Sequence, residues 1–182
     1  MESDKLKNNS TALFRLAFNG NPVSSILMII FICGMALPLS ANEIQKAQQF
    51  EAEKKYNKAT YFYIKALNKN NYDTVALYGL ANSSYKTGNL TRALDKINHY
   101  LQIQADENGM LLRAKINLKR NDWQAVVVDT LNITHMNSNN AQAFLYMDNA
   151  YTALGNKVEA EMAMEKYKAL TQGNAVETGN TL

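Results

Sequence analysis

From about residue 40 onward, apolar side chains return every three or four positions and are interrupted at even intervals by short polar turns. Between 74 and 106, Leu77, Leu80, Ala81 and Ser84 share one helical face ahead of Gly88-Asn89. Ala93, Leu94, Ile97, Tyr100 and Leu101 share another face after it. That period predicts two amphipathic helices joined by a tight turn. The turn recurs as Lys119-Arg120-Asn121-Asp122-Trp123 and Ala153-Leu154-Gly155-Asn156-Lys157, so Gly88, Asn121 and Gly155 are 33 and 34 residues apart. Glycine or asparagine suits such a place, because the residue just past a helix commonly turns left-handed. Five residues beyond each turn stand Ala93, Val126 and Ala160, and Ala59 lies 34 before Ala93. Four units therefore start near Ser40, Thr74, Glu107 and Ala141. Ala47, Ala81 and Ala114 fall eight positions into their units, where a small side chain lets two helices approach closely.

One unit cannot bury its apolar face alone, so the units are expected to stack into a curved solenoid. The pattern resembles the tetratricopeptide repeat, a 34-residue helix-turn-helix. The second unit carries the resemblance best, through Leu80-Ala81, Tyr85, Gly88-Asn89-Leu90, Ala93 and Tyr100-Leu101. The first keeps Phe50, Tyr56, Ala59, Tyr63 and Ala66-Leu67, and the fourth keeps Tyr151, Gly155 and Ala160. The third diverges most, with Val126 in place of the small alanine; Trp123 stands where the family favours an aromatic and reads as a packing residue. The family's closing proline is missing throughout, which leaves the ends of the second helices undefined. The expected fold is all-α: a right-handed solenoid of about four units, near 40–73, 74–106, 107–140 and 141–170, within a repeat domain spanning 42–170. The polar, glycine-containing stretch 171–182 is expected to be a disordered tail.

The resemblance also implies a partner-binding groove lined by the first helices, at the second, fifth, ninth, twelfth and thirteenth positions of each unit. Tyr78, Asn82, Tyr85 and Lys86 fall there in the second unit, Leu111, Lys115 and Lys119 in the third, and Gln142, Leu145 and Asn149 in the fourth. Asparagine both donates to and accepts from a peptide backbone, tyrosine offers rigid contact area, and lysine meets carboxylates. The mix suggests a short peptide with some negative charge. Met162, Met164 and Tyr167 leave an uncapped apolar C-terminal unit, free to pair with a second copy or dock on a partner.

Ahead of the repeats, residues 1–22 form a polar leader, and residues 23–39 carry no charge at all. Only residues 26–39 are strongly apolar, the length of a signal-peptide core. The whole run just reaches the ~17 residues that cross a bilayer. Pro38 followed by Ser40-Ala41 suits cleavage of a 23–41 signal peptide, whereas the long leader suits a membrane anchor through 23–39. Both readings stay open, and both place the repeats outside the cytoplasm, facing the periplasm or its equivalent.

Composition narrows the chemistry. A net charge of +3 over 182 residues, with lysines spread among glutamates, argues against nucleic acid as a partner. The single cysteine, Cys33, allows no internal disulfide. His99 and His135 stand apart, without the spacing of a metal site. No phosphate-binding loop or nucleophile signature is present, so neither a cofactor, a metal nor catalysis is expected. The expected function is that of a non-enzymatic adaptor scaffolding an envelope assembly such as pilus or secretion machinery. The alternative is a chaperone-like holder of exported subunits.

Overall fold

The computed structural model describes residues 40–176, which form eight helices and no strand among the described residues. They pair as four helical hairpins: α1 (Ala41–Ala52) with α2 (Tyr56–Lys69), α3 (Thr74–Lys86) with α4 (Leu90–Ile103), α5 (Glu107–Arg120) with α6 (Trp123–Met136), and α7 (Ala141–Leu154) with α8 (Lys157–Val176). The leader and apolar run at 1–39 lie outside the described residues. The last helix runs to Val176, past the boundary at Leu170 drawn from sequence, and residues 177–182 are not described.

Every first helix ends in the same left-handed residue. Gly88 (φ +82°), Asn121 (φ +59°) and Gly155 (φ +79°) occupy it as their spacing predicts, and Lys54 (φ +57°) occupies it in the first hairpin. The amide one residue further on donates back to a carbonyl in the last turn: Lys55 to Phe50, Asn89 to Ser84, Asp122 to Asn117, Asn156 to Tyr151. This satisfies carbonyls that the helix end would otherwise orphan. Asn121 shows why a turn without glycine still works, since asparagine tolerates that conformation.

The missing prolines are replaced by other devices. The Asn70 and Asn137 side chains accept from the amides of Tyr72 (3.1 Å) and Asn139 (3.0 Å), forming local turns that end α2 and α6. Asp73, Asp106 and Asn140 then cap the next first helix, accepting from Ala76 (3.0 Å), Gly109 (2.8 Å) and Ala143 (2.8 Å).

The alanines do what their spacing implied. Ala47, Ala59, Ala81, Ala93 and Ala114 are fully buried at helix crossings. One apolar cluster joins Tyr63, Ala66 and Leu80, and the next joins Leu77, Ile97, Leu112 and Ile116 across the second and third hairpins. Trp123 packs with Val126, Ala114 and Ala150 as a core residue. Beside this third cluster the interior turns polar. Arg113 grips Asp129, itself 1% exposed, through Nε (3.0 and 3.1 Å) and Nη2 (2.5 Å), and donates through Nη1 to Asn98 (3.1 Å). Burial raises the Asp129 carboxyl pKa, and the guanidinium opposes that shift.

Candidate functional site

Successive first helices touch one another, α1 with α3, α3 with α5 and α5 with α7, while the second helices make no comparable contact among the described residues. The first helices therefore share one continuous face. Tyr78, Asn82, Tyr85 and Lys86 lie on α3, Leu111, Lys115 and Lys119 on α5, and Gln142, Leu145 and Asn149 on α7. Lys86, Lys119, Gln142 and Asn149 are exposed, and the other six are half-buried.

Several of these side chains already have partners within the stack. Asn82 Nδ2 donates to Glu51 Oε1 at 2.5 Å, from α3 back to α1. One unit further on, Lys115 Nζ stands 5.4 Å from the centre of the Tyr85 ring, from α5 back to α3. Each contact links the ninth position of a unit to the twelfth of the preceding one. Tyr78 and Tyr85 also pack against the central apolar cluster. The groove positions are thus partly joints between units.

An open cavity of ≈ 580 Å³ lies where α1, α3 and the start of α5 meet. Of the ten candidates only Tyr78 lines it; Val75 and Asn108 line it from second positions of their units, and Glu51, Tyr63, Tyr100 and Asp106 are among the other lining residues. The two tyrosines reach this face from the second helices by crossing over glycine. A Cβ on Gly79 would lie 2.2 Å from the Tyr63 ring, and one on Gly109 would lie 2.6 Å from that of Tyr100. Tyr63 Oη then donates to Glu51 Oε2 at 2.8 Å, and Tyr100 Oη to Asp106 Oδ2 at 2.5 Å. The Tyr78 ring meets Tyr100 edge-on, with centroids 5.5 Å apart.

Burial, reinforced by the carboxylate each hydroxyl serves, pushes the pKa of Tyr63 and of Tyr100 up. Burial, with Asp106 and Glu51 nearby, does the same for Tyr78. All three remain protonated. Burial also acts to raise the Asp106 carboxyl. Hydrogen bonds from Tyr100, the Gly109 amide and Gln104 outweigh it and hold the pKa below its ordinary value. The cavity therefore combines an ionised carboxylate, amide groups and aromatic faces, the equipment of recognition.

Sequence reasoning missed Tyr63 and Tyr100 because it searched only the first helices for groove positions. Asp106 stands just ahead of α5, and Glu51 holds the twelfth position of the first unit, where no candidate was named. The available signal was Gly79 and Gly109, each inside a helix where glycine costs about 1 kcal/mol and so asks for a packing reason.

Elsewhere the described residues hold no group of three His, Cys, Asp or Glu side chains placed for a metal. His99 sits edge-on to Tyr72 at 5.7 Å and His135 is exposed. At the far end of the stack, Val158 and Met162 are exposed beside a largely apolar groove that Phe144, Met147 and Tyr151 line from α7. Met164 and Tyr167 are half-buried. No described helix is long and apolar enough to cross a membrane.

No family model and no curated protein matches the chain. Among solved structures, the chain is similar to MamA protein, with TM-score 0.70 and 16% identity over 74% of each chain. It is similar to YrrB, described as a TPR protein with an unusual peptide-binding site, with TM-score 0.65 and 18% identity over 73% of this chain and 69% of that one. A thermophilic TPR protein in Thermus thermophilus matches with TM-score 0.58 and 21% identity over 72% and 74%. At these identities the likeness shows the fold, a stack of tetratricopeptide-type hairpins.

Proposed function

We propose that the chain is a non-enzymatic adaptor whose first-helix face binds a peptide or protein segment, and whose N-terminal apolar run exports or anchors it so that the repeats face the periplasm. In that setting it scaffolds a multi-protein envelope assembly such as pilus or secretion machinery. The observation that carries the binding reading is the open cavity spanning three successive first helices, bounded by carboxylate, amide and aromatic groups. A cavity of ≈ 580 Å³ holds one or two side chains of an extended peptide. The structurally similar YrrB, with its peptide-binding site, supports the reading. The order of leader, apolar run and small residues in the sequence supports exported repeats with a partner in the envelope. The apolar groove on α7 and α8, beside exposed Val158 and Met162, is a second docking place, for a partner or another copy.

Site-specific photocrosslinking tests this in the native host, with a photoreactive residue at position 78 on the cavity and another at position 61 on exposed α2. One envelope protein crosslinked at 78 and absent at 61 is expected. Many proteins at 78 would favour the holder of exported subunits instead, and equal labelling at both positions would overturn the assignment of the face. A C-terminal alkaline phosphatase fusion, active only outside the cytoplasm, tests the location. An inactive fusion would reject it.

A further inference from the structure

We infer that the cavity where Glu51 and Asp106 meet Tyr63, Tyr78 and Tyr100 receives a cationic side chain, lysine or arginine, of the peptide bound on this face. The inference rests on the peptide-binding reading above and names the chemistry of its ligand.

Charge carries the argument. Two carboxylates from different units converge on one cavity, and no lysine or arginine is among the described residues that line it. Asp129 has Arg113 at 2.5 Å and Glu43 has Lys69 at 2.8 Å, whereas half-buried Asp73 and Glu107, outside the cavity, are held by neutral donors. Glu51 and Asp106 are held by neutral donors too. Tyr63 and Asn82 position Glu51, while Tyr100, Gln104 and the Gly109 amide position Asp106. Neutral hydrogen bonds orient a carboxylate without cancelling its charge. Each carboxylate offers about four acceptor sites, so both retain room for a further donor.

The walls suit the same ligand. An ammonium or guanidinium is attracted to the face of a tyrosine ring, and the apolar stem of either side chain packs against the ring body. The lysines that suggested an acidic peptide stand elsewhere. Lys115 lies over Tyr85, and neither Lys86 nor Lys119 is among the residues lining the cavity. An anionic side chain entering here would meet two carboxylates.

The test uses the full-length chain in detergent, panned against a displayed library of random heptapeptides. Lysine or arginine is expected in the selected sequences. A synthetic copy of the best peptide should bind roughly tenfold more weakly to Glu51→Gln/Asp106→Asn than to the unaltered chain. The paired substitution keeps the α5 cap and the bond from Tyr63, since asparagine caps a helix as well as aspartate does and the glutamine oxygen still accepts. Replacing the peptide's basic residue by norleucine should cost a similar factor on the unaltered chain and little on the double variant. That arm reads the contact whether or not the variant is perturbed. Acidic or uncharged selected peptides, or basic ones indifferent to both changes, overturn the inference and leave peptide binding standing. A library that yields no binder overturns the binding reading together with the inference.

Discussion

The second and third hairpins fill the same repeat positions with opposite chemistry. At the seventh position the second has Leu80, 1% exposed, and the third has Arg113, paired with the buried Asp129. Seventeen positions further on the second has Ile97 in the apolar cluster, while the third has Thr130, whose hydroxyl returns to the Val126 carbonyl at 2.9 Å. At the eleventh, Ser84 and Asn117 are both buried and each keeps an atom without a protein partner. The backbone geometry is shared all the same. What differs is the source of cohesion, because a buried aliphatic stabilises by about 1.5–3 kcal/mol, whereas a buried ion pair roughly offsets its own desolvation. The stack is therefore held most firmly around Ile97. The third hairpin contributes selectivity of pairing, through an arginine that reaches α4 and α6 at once.

The sharpest break of this comparison is Ile97→Ala. It empties a fully buried site touching two hairpins and should destabilise by about 3–4 kcal/mol in denaturant unfolding. A loss below about 1 kcal/mol would show that the apolar junction does not dominate. Asp129→Ala comes next, at about 2–3 kcal/mol, because it strands a guanidinium that keeps only a quarter of its exposure. The paired change Arg113→Met/Asp129→Leu should recover all of that loss. Failure to recover would mean that the ion pair itself stabilises the third hairpin.

Acid separates the junctions in a different way. The Asp106 carboxyl sits below its ordinary value in the folded chain, so its contribution is complete above the unfolded pKa near ~3.9. That contribution is lost as pH falls through the lower folded value. Asp106→Asn should flatten the acid limb of the stability curve below the unfolded pKa, and an unchanged limb would contradict this. The smallest expected effect lies at the first turn. Lys54→Gly should stabilise by about 0.5–1 kcal/mol, because Lys54 alone of the four turn residues is neither glycine nor asparagine. Asn121→Gly should do less.

Much of this was legible beforehand. Gly88, Asn121 and Gly155 announced three of the four turns, and the buried alanines announced the crossings. The first turn was not, because Lys54 carries no preference for the conformation that it is forced to adopt. The ends of the second helices were left undefined because Asn70 and Asn137 end α2 and α6 through local turns that a proline-based pattern does not contain. Asn82 and Lys115 lie on first helices, and their contacts with Glu51 and Tyr85 are made across a unit boundary that no single repeat contains.

Periodicity by itself determined the helices, their pairing and the 33- or 34-residue step, since each depends on residues a few positions apart. Only the tertiary structure decided where the cavity forms. Glu51, Tyr63 and Tyr100 come from three different helices and Asp106 from the cap of a fourth, and they meet because Gly79 and Gly109 leave room for two rings to pass between neighbours. That meeting depends on distances between units, which sequence spacing along one helix does not encode.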